Sequence, residues 1–125
     1  MKLIWLTFIL IVIFNTNQPL EAQDNFTDSL KSALVIHPEK DGRRLYLLNS
    51  ILYEIYDTDL TLAEELAKEA NTLADSLKIP QGKAEVMYYK AQIDLIKGKY
   101  KDAFSAFNIS LKIYDSLQEK RGVSY

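Results

Sequence analysis

AEVMYYKAQIDLIKGKYKDAFSAFNISLKIYD, residues 84–115, is the stretch whose reading decides the fold. No part of it alternates apolar and polar residues between turn dipeptides, so it carries no strand signal. Gly98 divides it into two helical patterns, one from about Gly82 to Lys97 and one from about Lys99 to Gln118. In the second pattern Ala103, Phe107, Ser110, Leu111, Tyr114 and Leu117 recur at helical spacing and are the expected packing face.

Outward from this stretch, the chain repeats itself. Three of the four glycines, Gly42, Gly82 and Gly122, fall at intervals of forty residues. The same offset lays Asp75, Ser76 and Leu77 on Asp115, Ser116 and Leu117, and Ala63 on Ala103. Arg43 pairs with Lys83, Leu47 with Met87, Ile55 with Leu95, and Leu73 with Ile113. Such a period marks an architecture of stacked supersecondary units.

The earlier unit follows the same plan. Leu47, Ile51 and Ile55, flanked by Leu48 and Leu52, recur every three or four residues, and Asp57, Thr58 and Asp59 then break the pattern. Any of these three can cap the next helix, because a short oxygen-bearing side chain satisfies the free amides of a first turn. The next stripe is Leu62, Leu66, Ala70, Leu73 and Leu77, with Ala63, Ala67 and Ala74 beside it. Glu64 and Lys68 stand four apart and are expected to pair on the solvent side. Pro80 and Gly82 are expected to close the unit, proline because it cannot continue a helix and glycine because it tolerates a reversed backbone.

On these residues the chain resembles the tetratricopeptide repeat (TPR) family. The match runs through small Ala91 in a first helix, Gly98 and Tyr100 at the turn, and Ala103 and Phe107 in a second helix, with Ser110 where the family prefers alanine. The earlier unit matches through Leu47, Ala63, Ala67 and Ala70, while Ile51, Glu54 and Asp94 depart from the family pattern. The resemblance implies an all-α fold, a right-handed stack of antiparallel helix pairs forming a TPR-like α-solenoid of about two full repeats plus partial ends. Residues 42–81 and 82–121 are the two repeats, and 122–125 open a third that stops. Ala63, Ala91 and Ala103 are the expected close contacts, because small side chains let helix axes approach to about 8–10 Å. Since repeat arrays need about three units to be stable, the sequence reads as part of a longer protein.

The N-terminal residues read as an address. Met1 and Lys2 precede the apolar run LIWLTFILIVIF at residues 3–14, followed by polar Asn15, Thr16, Asn17 and Gln18. This is the pattern of a secretory signal peptide over residues 1–22, with cleavage at Ala22 or a neighbouring site. The run is shorter than the roughly 20 residues a membrane-spanning helix needs. The chain is therefore expected to be exported, to a periplasmic or extracellular place in a bacterial envelope, and to touch a membrane only through this signal. Residues 23–41 form a capping segment, whose stretch NFTDSLKSALVI at 25–36 holds Phe26, Leu30 and Ala33 or Leu34 at helical spacing.

The rest of the composition narrows the chemistry. With 48% hydrophobic and 26% charged residues in 125, the chain is globular and the size of one domain. Its net charge is −2, with the two signs interspersed, so no bulk field attracts nucleic acid. No cysteine is present, which removes disulfides, zinc–thiolate sites and thiol nucleophiles. The single histidine, His37, sits before Pro38 and reads as an exposed loop residue; Glu64, Glu65 and Glu69 read as a solvated helix face. Gly98, flanked by Lys97 and Lys99, lacks the spacing and hydroxyl residue of a phosphate loop. Asn25-Phe-Thr and Asn108-Ile-Ser match the glycosylation triplet, the second inside an expected helix. No cofactor, metal site or catalytic residue is expected.

The expected function is a non-catalytic scaffold for a protein or peptide. The resemblance places the first helix of each pair on a concave face, with Leu45, Leu48, Leu52, Ile55 and Tyr56 there in one unit and Glu85, Tyr88, Gln92, Leu95 and Ile96 in the other. The first five are apolar enough to be covered by the 25–36 segment, which leaves Tyr88 and Gln92, amphipathic and one turn apart, as the better contact residues. The resemblance also carries an alternative: the N-terminal sensor region of a membrane-bound histidine kinase or transcriptional regulator, with its output domain further along the chain.

Overall fold

The structure, a computed structural model, describes residues 24–121. The signal-like segment 1–22 and the start of a third unit at 122–125 lie outside the described residues. Five helices make up the rest: α1 over residues 24–36, α2 (Gly42–Ile55), α3 (Leu60–Leu77), α4 (Pro80–Ile96) and α5 (Tyr100–Lys120). Among the described residues there is no strand. Helices α2 to α5 each pack on the next, and α4 also touches α2.

Local chemistry sets the boundaries. The Asp41 side chain accepts from the Arg44 amide at 3.0 Å and opens α2. Of the three residues that could cap α3, Asp59 does so, accepting from the Leu62 amide at 3.2 Å. Proline opens α4 at its first turn, where its missing N–H costs nothing. Gly98 takes the left-handed backbone, φ +76°, between α4 and α5.

The main core lies where α2, α3 and α4 meet. Leu45, Leu48, Ile51, Leu52 and Ile55 face Leu66, Leu73 and the alanines Ala63, Ala67, Ala70 and Ala74, with Val86 and Ile93 arriving from α4. Leu30 and Leu34 of α1 pack against this core, whereas Phe26 is exposed, so the capping stripe of α1 starts one turn later than its apolar spacing suggested. A second, smaller cluster joins Met87 and Ala91 of α4 to Ala106 of α5, with Phe107 beside it. Ala63, Ala91 and Ala103 are all buried, as their expected place at helix contacts requires.

Several expectations are corrected. The reversed backbone after α3 belongs to Lys78, φ 55°, whose N–H caps the carbonyls of Ala74 and Asp75; Gly82 lies inside α4. Gly82 serves close approach instead, since a Cβ there would collide with the Leu45 side chain. Pro80 opens the next helix and does not close the unit. Leu111 and Tyr114 do not join the packing face of α5; Ala103, Ala106 and Ser110 do. Two small residues and a serine let α5 sit close to α4, and the larger side chains are thereby turned outward.

The charged groups also differ from expectation. Glu64 bonds Lys97 on α4 and not Lys68, because α4 brings an ammonium group closer than the helical neighbour does. Glu69 is not a free solvated carboxylate: it takes the Arg44 guanidinium at 2.6 Å and the Lys40 ammonium, tying the α1–α2 turn to α3. Arg44 also donates to the carbonyls of His37, at 3.0 Å, and Leu34. That turn holds the His37 ring partly buried, donating to Asp41 at 2.8 Å. The partly buried Arg44 guanidinium thus finds acceptors on two sides, the Glu69 carboxylate on α3 and the carbonyls of Leu34 and His37.

Candidate functional site

Glu85, Tyr88, Gln92, Leu95 and Ile96 occupy one side of α4, since steps of three, four, three and one residues keep them within about a third of the helix circumference. The α2 side next to it carries Tyr46 and Tyr53, two turns apart and both exposed. Asn49 joins the two helices. Its buried amide donates at 3.3 Å to the Glu85 carboxylate and at 3.3 Å to the Gly82 carbonyl. The bridge depends on Gly82, where the missing side chain lets the helices close up.

Tyr88 and Gln92 are brought together directly, the Gln92 amide donating to the Tyr88 hydroxyl at 3.0 Å. The Tyr88 ring meets Tyr89 edge-on at 5.5 Å and Phe107 of α5 at 5.9 Å. Tyr89 in turn lies 6.0 Å from Tyr56, which caps the end of α2. These separations are those of favourable aromatic pairs, so the rings form a connected strip and not isolated side chains. Burial pushes the Tyr89 phenol up to about 12, with the Glu85 carboxylate and the phenols of Tyr114, Tyr53 and Tyr88 adding to the effect. Burial, then Glu85, also raises Tyr114. A phenol is protonated at physiological pH even at its ordinary value, and these upward shifts keep both so.

Leu95 and Ile96, exposed at the end of α4, extend the strip toward the Gly98 turn. The structure does not place Leu45, Leu48, Leu52 and Ile55 on an open face; they are buried in the core under α1, and Tyr56 is partly buried. Tyr53, Tyr89 and Asn49 belong to the site and were missed in the sequence. Tyr46 and Tyr53 recur at seven residues, and Tyr89 and Gln92 at three, which are the helical signals that could have found them.

Beside Tyr88 a groove of about 450 Å³ runs between α4 and α5, lined by Phe104, Phe107, Asn108, Ser110, Leu111 and Tyr114. The Ser110 hydroxyl at its floor donates to the Ala84 carbonyl at 2.8 Å. Among the described residues no three histidine or acidic side chains converge to hold a metal ion, and no helix is long and apolar enough to cross a membrane. Compared with known proteins, the chain matches no family model, no curated protein and no solved structure.

Proposed function

We propose that this chain is an exported, non-catalytic scaffold of TPR-type helix pairs in a right-handed stack, which holds an extended segment of a partner protein or peptide against α2 and α4. The observation that carries the reading is the Tyr88–Gln92 pair, hydrogen-bonded to each other and set in an aromatic strip continuous with Tyr89 and Tyr56. Tyrosine offers a large apolar surface with a polar tip and loses little conformational freedom on binding, which suits it to contact a peptide. Glu85, held by Asn49, adds a single carboxylate whose position is already set. Residues 1–22 serve in this reading as the export signal.

Peptides selected from a display library on the purified chain, then titrated calorimetrically, test it. Tyr88→Ala and Gln92→Ala are expected to weaken binding about 5- to 100-fold, the range of contacts that matter at interfaces, with the thermal midpoint little changed in Gln92→Ala and lowered in Tyr88→Ala by loss of its two ring contacts. Equal affinity for both variants would move the site elsewhere.

A further inference from the structure

We propose that the exposed face of α5 is a self-association seam, on which a second copy of this chain docks with its α5 running antiparallel. Along α5 the residues Tyr100, Phe104, Phe107, Leu111, Tyr114 and Gln118 follow one another at steps of four and three, the spacing of a coiled-coil seam. Most of this stripe is uncovered: Tyr100 is 68% exposed, Phe104 70%, Leu111 57% and Tyr114 37%. Ala103 and Ser110, on one edge of the seam, are buried against α4. The other edge carries Lys101, Asn108 and Asp115.

The repeat period identifies the stripe as a helix-docking face. Forty residues earlier, Glu64, Ala67 and Asn71 lie on the side of α3 against which α4 packs and line a cleft between the two helices; their counterparts Phe104, Phe107 and Leu111 line the groove over which no helix lies among the described residues. A helix like α4 is a poor occupant. It meets α3 through Lys97 on Glu64 and Lys83 on Asn71, and on α5 those two acceptors have become Phe104 and Leu111.

A second α5 fits better. Antiparallel pairing sets Phe104 against the partner's Tyr114, and Phe107 against the partner's Leu111. It also brings equal edges together, so that Lys101 meets the partner's Asp115 twice and Asn108 meets its own counterpart. Parallel pairing would instead oppose this edge to the one already buried against α4, with no complementary charge. An aromatic side chain carries about 150–250 Å², so the open part of the seam amounts to a few hundred Å² per copy, below the roughly 800 Å² of a standard interface. The expected dimer is therefore weak, with a micromolar Kd.

Sedimentation equilibrium of the purified chain from about 1 to about 300 µM measures it. The wild type is expected to dimerise, and Phe104→Glu and Leu111→Glu to be monomeric with unchanged helical circular dichroism. Lys101→Asp sets like charges opposite each other at both ends of this edge and should raise Kd about tenfold, as should Asp115→Lys, while the double exchange should restore the wild-type value. Both exchanges suit the helix dipole, so loss of the dimer cannot be ascribed to loss of α5. A monomeric wild type, a dimer that survives Phe104→Glu, or a double variant no tighter than the singles overturns the proposal. A monomer whose seam captures a helical peptide of another sequence also overturns it, assigning the face to a foreign helix.

Discussion

Helices α3 and α5 match at an offset of forty residues in the sequence, yet one is wrapped and the other is half bare. Helix α3 buries Ala63, Leu66, Ala67, Ala70, Leu73 and Ala74, while α5 buries only Ala103, Ala106 and Ser110. At matched positions the contrast is chemical: Ala67 and Ala74, under neighbouring helices, become Phe107 and Tyr114, and Glu64 and Asn71 become Phe104 and Leu111. A covered helix needs small side chains so that backbones approach, with polar groups at its margin to meet its neighbour's lysines. A helix that buries alanine and serine on one side and carries exposed aromatics on another has a different task from its counterpart.

The largest expected effect tests the depth of the core against the openness of α5. Leu48→Ala, at a fully buried position, should cost about 2–5 kcal/mol in denaturant unfolding, whereas Leu111→Ala should stay within about 0.5 kcal/mol. Comparable losses would mean that α5 is packed on both sides. Next comes the shared alanine contact. Ala63→Leu and Ala103→Leu should each overpack by about 1–3 kcal/mol and lower the thermal midpoint more than Lys101→Leu does. If Ala103→Leu is tolerated while Ala63→Leu is not, the two hairpins do not close at equivalent points.

Gly82→Ala and Gly42→Ala sharpen the comparison at the other end of each unit. The new methyl would collide with Leu45 at Gly82 but only touch Ile79, at 3.6 Å, at Gly42. A loss of about 1 kcal/mol is expected at Gly82, net of the gain in helix propensity, and none at Gly42.

An effect of similar size, but confined to neutral pH, concerns the clasp that α3 has and α5 lacks among the described residues. The Arg44 guanidinium lowers the Glu69 carboxyl below its ordinary 4.5; burial opposes it and Lys40 adds to it. The folded state thus gains stability that is complete above that ordinary value and is lost as pH falls through the depressed one. Glu69→Gln should cost about 1 kcal/mol at neutral pH. Thermal midpoints measured across pH should converge with those of the wild type in acid, and a gap that persists there would reject the pairing.

Much of the fold was legible because it rests on local and periodic rules. Apolar spacing marked α2 to α5 to within about two residues, the Asp57–Asp59 break held the true cap, and the forty-residue offset placed Ala63 and Ala103 at buried contacts. What misled was one residue type serving two purposes. A glycine near a proline reads as a turn, but at Gly82 the decisive neighbour is Leu45, thirty-seven positions away, and Lys78 carries the left-handed turn. Leu111 and Tyr114 were placed inward since apolar spacing on a helix does not say which neighbour it faces, and α5 has a second stripe of small residues that takes that place. Of the candidate site, Glu85, Tyr88, Gln92, Leu95 and Ile96 were legible from the periodicity of α4, whereas Tyr89 on the same helix was missed. Tyr53 and Asn49 were not, because they join it only through the crossing of α2 and α4.

The turns between α2 and α5 are only a few residues long, and most packing joins helices adjacent in the chain. Such a molecule closes small loops at every stage and should fold quickly, without waiting for distant segments to meet. It also has no reason to come apart all at once. The largest buried cluster lies among α2, α3 and α4, and fewer large apolar side chains are buried between α4 and α5, so backbone amides of α5 should exchange with solvent before those of α2.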